Sequence, residues 1–208
     1  MTAAPALTLH HHPHSRSAGA RVMLEELGVD YRIELVNLHA GEQRRPEFLA
    51  LNPLGKLPTL VDGDTVVTEQ VAIYLHLADR FPEAGLAPAI GDSARGSYLR
   101  WMVYYASCFE PAVVDRAQKH EPAEPMVSPY RDFDSMLAAL EAQLARGPWM
   151  LGDRFSAADV LWGTALAWTT QFGLVPKSEV IERYIERAKA RPGFQRAAAK
   201  DAELLATA

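Results

Sequence analysis

The first third of the chain mixes two hydrophobic periods. The run ALTLHH is typical of a short strand. SAGARVMLEELG carries its apolar residues at helical spacing, with Gly28 placed to end the helix as a left-handed cap. YRIELV alternates apolar and polar positions, as a half-buried strand does. A strand, a helix and a strand this close together predict a right-handed parallel crossover.

The next segment predicts a helix, a hairpin and another helix. RPEFLALN offers a short helix, and LPTLVDGDTVVT offers two strands joined across the turn signal Asp62-Gly63. TEQVAIYLHLADRF then has apolar residues at helical spacing and stops before Pro82. The predicted order of elements is β-α-β-α-β-β-α.

A composition shift marks the clearest domain boundary. The segment PEAGLAPAIGD is rich in proline, glycine and alanine, and the pattern of alternating strand residues does not return after it. We therefore predict an α+β N-terminal domain over residues 1–83, a linker over 84–92 and an all-α C-terminal helical domain over 93–208.

The predicted helical domain opens on a long amphipathic stretch, ARGSYLRWMVYYASCFEPAVVDRA, which contains Pro111. Because proline lacks an amide donor and its ring clashes one turn back, we expect a kink or a break there. The proline-rich HEPAEPMVSP is a predicted loop, and RDFDSMLAALEAQLA predicts the next helix. Two further helices near the C-terminus are separated by Pro192-Gly193.

The segment GDRFSAADVLWGTALAWTTQF predicts a helix whose N-terminus is marked by capping signals. Ser156 and Asp159 have the spacing of a capping box in which Asp replaces the usual Glu. Phe155 and Val160 stand where a hydrophobic staple has its two members. These signals predict a helix beginning at this point.

Composition and charge narrow the class of protein. The chain is 49% apolar and 23% charged, which is ordinary for a globular protein, and its net charge of -5 argues against a nucleic-acid binder. Its one cysteine, Cys108, excludes an internal disulfide and fits a reducing compartment. The first fifteen residues lack Lys and Arg, and no window is long and apolar enough for a membrane helix, so we expect a cytoplasmic protein without a signal peptide.

Three motifs in this order resemble the cytosolic glutathione transferases: NPLGKLPTLVDG (52–63), TEQVAIYLHLADRF (68–81) and FSAADV (155–160). The opening PHSRSAGARVMLEELG is similar in spacing to bacterial members, near the beta and phi-like classes. The resemblance implies a thioredoxin-like N-terminal domain, an all-helical C-terminal domain and a homodimer. It also implies glutathione as co-substrate, no metal, and conjugation to a small hydrophobic electrophile, as in detoxification.

The first motif implies a site for the backbone of glutathione. In the family pattern, a cis peptide bond before Pro58 turns the backbone of Leu57 outward to pair with the cysteinyl residue of glutathione. Lys56 is then expected near the glycine carboxylate of the ligand. The alternatives are a solvated loop lysine and a proline that merely protects a strand edge.

The second motif implies a site for the γ-glutamyl end. Glu69 and Gln70 precede VAIYLHL, and a helix N-terminus offers free N–H groups and partial positive charge to a carboxylate. The resemblance implies that Glu69 pairs with the α-amino group of the ligand. Gln70 stands where the family usually has Ser; its amide still donates, over a longer reach. An ordinary acidic first turn is the alternative.

The catalytic group is expected near the start of the first helix. Ser15 resembles the catalytic serine position of the phi class and is our first choice; Ser17 is the second, with helix capping as its alternative. In the spacing of the beta class, Arg16 stands at the cysteine and His11 at the tyrosine, which disfavours a mixed disulfide between enzyme and glutathione. Arg16 offers positive charge beside the thiolate but no base.

The histidine cluster leaves several interpretations open. His10 and His12 face the same side of a strand, and His14 can curl back, which permits a metal site; but no carboxylate or cysteine lies nearby in sequence. A purification tag, histidines satisfied within the fold, and an imidazole that donates to the thiolate or orients Ser15 are the other interpretations.

The electrophile pocket is the least defined part of the prediction. Trp101, Tyr105 and Cys108 share one helical face, with Tyr104 beside it, and His14 is the remaining candidate. A core or subunit-interface role is the alternative for the helical set. We expect the other aromatic residues of the domain to be core; they are Trp162, Trp168 and Phe172.

Two functional alternatives accompany the transferase prediction. One is a non-catalytic binding protein with the glutathione transferase fold. The other is a glutathione-dependent isomerase or dehalogenase on the same scaffold, which would differ only in the pocket.

Overall fold

The computed structural model describes residues 7–121 and 123–207, which form two compact units. The first unit contains the described residues up to Ala84 together with the segment from Arg191 onward, and the second is Gly85–Ala190. In the described ranges, no helix is both long and apolar enough to cross a membrane. The helices in chain order are α1 (Ser17–Leu27), α2 (Pro46–Leu51), α3 (Gln70–Arg80), α4 (Arg95–Tyr104), α5 (Glu110–Gln118), α6 (Phe133–Leu144), α7 (Ala157–Gln171), α8 (Glu179–Lys189) and α9 (Pro192–Thr207).

The first unit is built on a four-stranded sheet, as the strand patterns predict. Its strands are β1 (Leu7–His11), β2 (Tyr31–Leu35), β3 (Thr59–Asp62) and β4 (Thr65–Thr68), in the order β2-β1-β3-β4. β1 pairs parallel with β2 across α1, which confirms the parallel pairing of the predicted crossover, while β3 pairs antiparallel with both neighbours. Ala6, the first residue of the predicted ALTLHH strand, lies outside the described residues.

The strand register brings three chain segments to one edge of this sheet. His10 pairs with Thr59, and Thr59 pairs with Thr68. The loop after β1, the residues before β3 and the residues after β4 therefore leave the sheet side by side. Each of the expected glutathione motifs of this unit contributes one of those segments.

The last helix of the chain belongs by its contacts to the first unit. From its position in the chain, α9 is expected in the helical domain (93–208), whereas the structure packs it along α1. The approach is close at Gly193, where an added Cβ would lie 2.5 Å from Oε1 of Glu26. Arg191 forms an ion pair with the same carboxylate at 2.6 Å, and Arg196 pairs with Glu25 at 3.0 Å.

The long helical stretch of the second unit is disturbed next to Pro111, as expected. Between α4 and α5 the chain forms a π-helical turn over Tyr105–Phe109, closed by an N–H···O bond from Glu110 to Tyr105. The wider turn accommodates the proline ring and its missing donor, so the helix continues without a break. The predicted HEPAEPMVSP loop contains no helix or strand in its described residues; position 122 lies outside them.

The predicted capping box starts α7 and is confirmed. The buried Asp159 carboxylate accepts from Ser156 N–H at 2.8 Å, Met150 N–H at 2.6 Å and the Tyr184 hydroxyl at 2.8 Å. Burial raises the pKa of Asp159 to about 6, against the lowering effect of these donors. One carboxylate thereby holds a helix start, a loop and α8 together.

The core prediction for three aromatic side chains is right for one and wrong for two. Trp162 is fully buried and donates from Nε1 to the carbonyl of Trp101 at 3.1 Å. Trp168 and Phe172 are 47% and 60% exposed, and their rings contact each other at a tilt of 51° near the end of α7. Because α7 carries apolar residues around most of its circumference, the helical pattern did not separate its two faces.

Candidate active site

Two of the three segments at the sheet edge are joined directly. The side-chain Nε2 of Gln70, at the start of α3, donates to the carbonyl of Arg16, just before α1, at 3.4 Å. The third segment contains the Leu57-Pro58 peptide bond, which is cis, as the family resemblance predicts. Pro58 is buried and Leu57 is partly exposed. The structure thus brings the predicted catalytic and glutathione-binding segments together.

The backbone around the cis peptide bond is held by a residue that sequence reasoning missed. The buried Asn52 donates from Nδ2 to the Lys56 carbonyl at 2.9 Å and to Thr59 Oγ1 at 3.1 Å. Thr59 Oγ1 donates to the same carbonyl at 3.1 Å. The Lys56 side chain is exposed, so its ammonium group is accessible to an anion while its backbone is fixed. Asn52 is the first residue of the motif NPLGKLPTLVDG, and membership of that motif is the only sequence signal for its role.

The start of α3 has an unusual backbone. Glu69, the residue before the helix, has φ +65° and an exposed side chain. A non-glycine residue with positive φ is uncommon, and such residues cluster at functional sites. The first turn of α3 has no acidic side chain, so its N–H groups and partial positive charge are not neutralised from within the helix. Gln70 is half-buried, with Nε2 also 3.3 Å from the Tyr74 hydroxyl.

The two serines before and at the start of α1 have different environments. Ser15 is partly exposed; its Oγ donates to the His12 carbonyl at 2.9 Å and accepts the Ser17 N–H at 3.1 Å. Ser17 is fully buried, and its Oγ accepts the His12 N–H at 3.0 Å. The hydroxyl that satisfies the first N–H of α1 is therefore that of Ser15, and the Ser17 hydroxyl faces inward. Arg16 between them is exposed.

His11 lies behind these serines and is completely buried. Its Nδ1 is 2.8 Å from Ser17 Oγ, and its Nε2 is 2.9 Å from Oδ1 of Asp201 in α9. Arg21 of α1 also donates to that carboxylate and lies 3.3 Å from the Tyr31 hydroxyl. Asp201 stands 190 positions from His11 in the chain, and no local pattern in the sequence identified it.

The other histidines do not assemble a metal site. The rings of His14 and His39 each lie 6.0 Å from that of His12, and the His14 N–H donates to His12 Nδ1 at 3.1 Å. Within residues 7–121 and 123–207, no group of three metal-ligating side chains is arranged around a common point. Burial first, then the neighbouring histidines, lowers the pKa of His12; burial also lowers the pKa of His10, which packs against Phe48.

Two of the four predicted pocket residues of the second unit belong to the core. Trp101 and Tyr105 are 1% and 4% exposed, and their rings pack edge-on against Trp162. Tyr104 and Cys108 are partly exposed, and burial raises the pKa of Tyr104. His14, the remaining pocket candidate, is exposed in the first unit. Helical spacing placed these side chains together in one predicted pocket, whereas in the structure some are buried and others are partly exposed.

Comparison with known proteins agrees with this arrangement. The chain matches the family models "Glutathione S-transferase, N-terminal domain" over residues 5–79 and "Glutathione S-transferase, C-terminal domain" over 111–196. It is 31% identical over 192 residues to glutathione S-transferase 3 of Zea mays, covering 85% of this chain and 86% of that protein. A disulfide-bond oxidoreductase of Escherichia coli is 30% identical over 195 residues, covering 86% and 88%.

A solved structure extends the likeness to three dimensions. A sphingomonad glutathione S-transferase in complex with glutathione has a TM-score of 0.77 and 29% identity, covering 94% of this chain and 98% of that one. The α+β first unit, the helical second unit and the cis-proline edge are the features that the resemblance led us to expect. The protein belongs to the glutathione S-transferase family.

Proposed function

We propose that this glutathione transferase holds the thiolate of glutathione at the hydroxyl of Ser15 and adds it to a small hydrophobic electrophile. The observation that carries the proposal is the position of Ser15. Its hydroxyl is the partly exposed one of the pair, it lies at the start of α1, and it shares the sheet edge with Leu57 and the start of α3.

The energy required is within reach of such a site. A thiol with an ordinary pKa of about 8.5 is about 3% ionised at pH 7, and a pKa of about 6.5 would raise that fraction to about 75%. The shift needs about 2.7 kcal/mol of preferential stabilisation of the anion. One hydroxyl hydrogen bond to the thiolate contributes about 1.5–3 kcal/mol, and the start of α1 adds a favourable partial charge.

The remaining ligand contacts follow from the same edge. The backbone of Leu57 would pair with the cysteinyl residue, and the exposed Lys56 ammonium would meet the glycine carboxylate. The N–H groups at the start of α3, together with the Gln70 side chain, would hold the γ-glutamyl carboxylate. Glu69 would pair with the α-amino group, and its positive φ supports a role in presenting that carboxylate.

The cellular setting rests on coarser support. The family resemblance supports a homodimer and a role in detoxification. A single cysteine supports a reducing compartment, and hence a cytoplasmic location, in which glutathione is reduced.

Arg16, exposed beside Ser15, would add positive charge near the thiolate.

The Escherichia coli relative supports a second candidate reaction, the reduction of disulfides. The glutathione thiolate would attack one sulfur of the substrate disulfide, forming a mixed disulfide with glutathione and releasing the other sulfur as a thiolate. A second glutathione would then release the first sulfur and leave oxidised glutathione. Because Arg16 stands at the cysteine position of the beta class, the attacking sulfur in this scheme is that of glutathione.

The test compares the native chain with Ser15→Ala and Glu69→Ala. Glutathione binding is measured by calorimetry, and turnover is measured with an aryl halide and with a small dialkyl disulfide. We expect Ser15→Ala to lower kcat by about tenfold to a hundredfold, the value of one charge-assisted hydrogen bond. We expect Glu69→Ala mainly to weaken glutathione binding.

The matched control is Ser97→Ala, an exposed serine of α4, which should change neither quantity. Unchanged turnover in Ser15→Ala would overturn the catalytic assignment. Turnover of the disulfide without conjugation of the aryl halide would select the second candidate. Binding of glutathione without turnover of either substrate would select a non-catalytic binding protein.

A further inference from the structure

Four polar groups stand in line from the proposed thiolate site into the protein. Ser15 Oγ lies 2.7 Å from Ser17 Oγ, which lies 2.8 Å from His11 Nδ1. His11 Nε2 lies 2.9 Å from Oδ1 of Asp201. The exposed fraction falls to zero at Ser17 and His11, and the Asp201 side chain at the far end is 15% exposed. An unbroken hydrogen-bonded line thus leads from the surface to a carboxylate of α9.

The contacts of Asp201 set the direction of these hydrogen bonds. Arg21 donates to the Asp201 carboxylate as well. A carboxylate only accepts, so His11 Nε2 carries the proton of that hydrogen bond. In neutral His11, Nδ1 therefore presents a lone pair to the Ser17 hydroxyl. This is the orientation in which a carboxylate prepares an imidazole to receive a proton at its other nitrogen.

We propose that His11 receives the thiol proton of glutathione through the hydroxyls of Ser15 and Ser17, and that Asp201 is the positioning residue that prepares it. The inference rests on the proposed role of Ser15. The glutathione S–H bond breaks as its proton passes to Ser15 Oγ. The Ser15 hydroxyl, turned from the His12 carbonyl, gives its own proton to Ser17 Oγ, and the Ser17 proton forms a new N–H bond at His11 Nδ1. The electron pair stays on sulfur, and no oxidant or reductant is required.

The charges around His11 act in opposing directions. An ordinary thiol has a pKa about two units above that of an ordinary imidazole, so the transfer alone is unfavourable by about a hundredfold. The negative charge of Asp201 from α9 faces His11 Nε2, while the positive charge of Arg21 from α1 lies on the same carboxylate and His12 is the next residue in the chain. The Tyr31 hydroxyl of β2 faces Arg21 rather than His11. After the transfer, the thiolate and the imidazolium carry opposite charges across two hydroxyls that both donate toward the sulfur.

A purely structural role for Asp201 would be to fasten α9 to α1. Other ion pairs already do so without touching the serines: Arg196 with Glu25 at 3.0 Å, and Arg191 with Glu26 at 2.6 Å. Arg196→Gln therefore weakens the same helix contact and leaves the proposed proton path intact. That variant is the matched control for Asp201→Asn.

The experiment titrates the ultraviolet absorbance of the thiolate of bound glutathione against pH, and measures kcat/KM with the aryl halide over the same range. We expect Asp201→Asn and Ser17→Ala each to raise the apparent pKa of the bound thiol by about one unit, a tenfold loss of thiolate at low pH. The loss of kcat/KM should be about tenfold at acidic pH and should vanish at alkaline pH, where solvent removes the proton. Arg196→Gln should shift neither profile, whatever it does to the thermal unfolding temperature.

Ser17→Ala keeps the proposal testable if Asp201→Asn does not fold, because the Ser17 hydroxyl is bonded to His11, His12 and Ser15 rather than to α9. Native profiles in both Asp201→Asn and Ser17→Ala would overturn the proton path. If Ser15→Ala alone raises the thiol pKa, the proton path fails and the role of Ser15 stands. If Ser15→Ala also leaves the pKa unchanged, the proposed function fails.

Discussion

The two units of this protein use buried polar groups in opposite ways. In the first, the line from Ser15 through His11 to Asp201 begins at a partly exposed hydroxyl, so a buried imidazole is connected to the surface. In the second, the carboxylate of Asp159 is enclosed by donors and has no connection to the surface through them, and the large aromatic side chain of Trp101 is buried elsewhere in the same unit. The first arrangement can move a proton, whereas the second fastens elements together.

In both units, the spacing of residue types along the chain did not predict which side chains are buried. Aromatic residues at helical spacing in the second unit resembled a substrate pocket, yet two of the four are core side chains. The histidines near the end of β1 gave no clear role in the sequence, yet His11 is buried and hydrogen-bonded at both ring nitrogens, to Ser17 and to Asp201. Burial, which the local pattern does not record, separates the two cases.

The largest expected effect tests whether Trp101 belongs to the core. Trp101→Ala should lower the free energy of unfolding by about 4 kcal/mol, because it leaves a cavity where the ring packed against Trp162. Urea unfolding followed by circular dichroism measures this change. The exposed Trp168 is the matched control, and Trp168→Ala should cost less than about 1 kcal/mol. A higher KM for the electrophile in Trp101→Phe, with native stability, would instead place Trp101 in the pocket.

Asp159 offers the next test of the enclosed arrangement. Asp159→Ala should lower the free energy of unfolding by about 2–3 kcal/mol, since the N–H groups of Met150 and Ser156 and the Tyr184 hydroxyl lose their acceptor. Asp134→Ala, at an exposed position in the first turn of α6, should cost about 0.5 kcal/mol. Equal losses in the two variants would contradict the role assigned to Asp159.

The same carboxylate should leave a signature in the pH dependence of stability. The folded-state pKa of Asp159, about 6, lies above its ordinary value of 3.8, so the folded state binds the proton more tightly than the unfolded state. The free energy of unfolding should therefore fall as the pH rises from about 4 to about 6, by up to about 3 kcal/mol. Asp159→Ala should lack this slope, so the difference between the two denaturation series should narrow as the pH rises.

A smaller effect tests the contact that brings α9 to the first unit. Gly193→Ala places a Cβ where Glu26 lies, and should cost about 1–2 kcal/mol as the carboxylate is pushed from Arg191. Gly96→Ala, in α4 with open space around it, should instead stabilise the protein by about 0.5–1 kcal/mol through helix propensity. Thermal unfolding distinguishes a loss from a gain. Stabilisation by both substitutions would contradict the close approach of α9.

The smallest effect concerns the outer ion pairs of α9. Burial alone would raise the pKa of Glu25, but hydrogen bonds from Lys200, Tyr31 and Arg196 outweigh it and hold the pKa below its ordinary 4.5. The stability that this carboxylate contributes is present above pH 4.5 and is lost as the pH falls through the lowered value. Hydrogen exchange of α9 amides should speed up there, and Lys200→Gln, which removes a half-exposed partner of Glu25, should weaken the docking at neutral pH by about 0.5 kcal/mol. Acid-independent exchange would contradict this account.

Much of the fold and half of the candidate site were accessible from short segments. The hairpin at Gly63, the left-handed cap at Gly28 and the capping box at Ser156 all depend on residues within a few positions of one another. The glutathione-binding roles expected for Leu57-Pro58 and Glu69 were also predicted from short motifs, at 52–63 and 68–81. The structure then placed these motifs side by side through strand register.

The sequence by itself determined the elements, their order and the family, because turn geometry, capping and hydrophobic period are local properties of the chain. Only the tertiary structure decided that α9 lies on α1, that Ser15 is accessible while Ser17 is buried, and that Asp201 faces His11. The physical reason is that burial and hydrogen-bond direction arise from contacts between distant segments. Asp201 in the last helix contacts the imidazole of His11, at the end of the first strand, only because folding brings these two distant segments together.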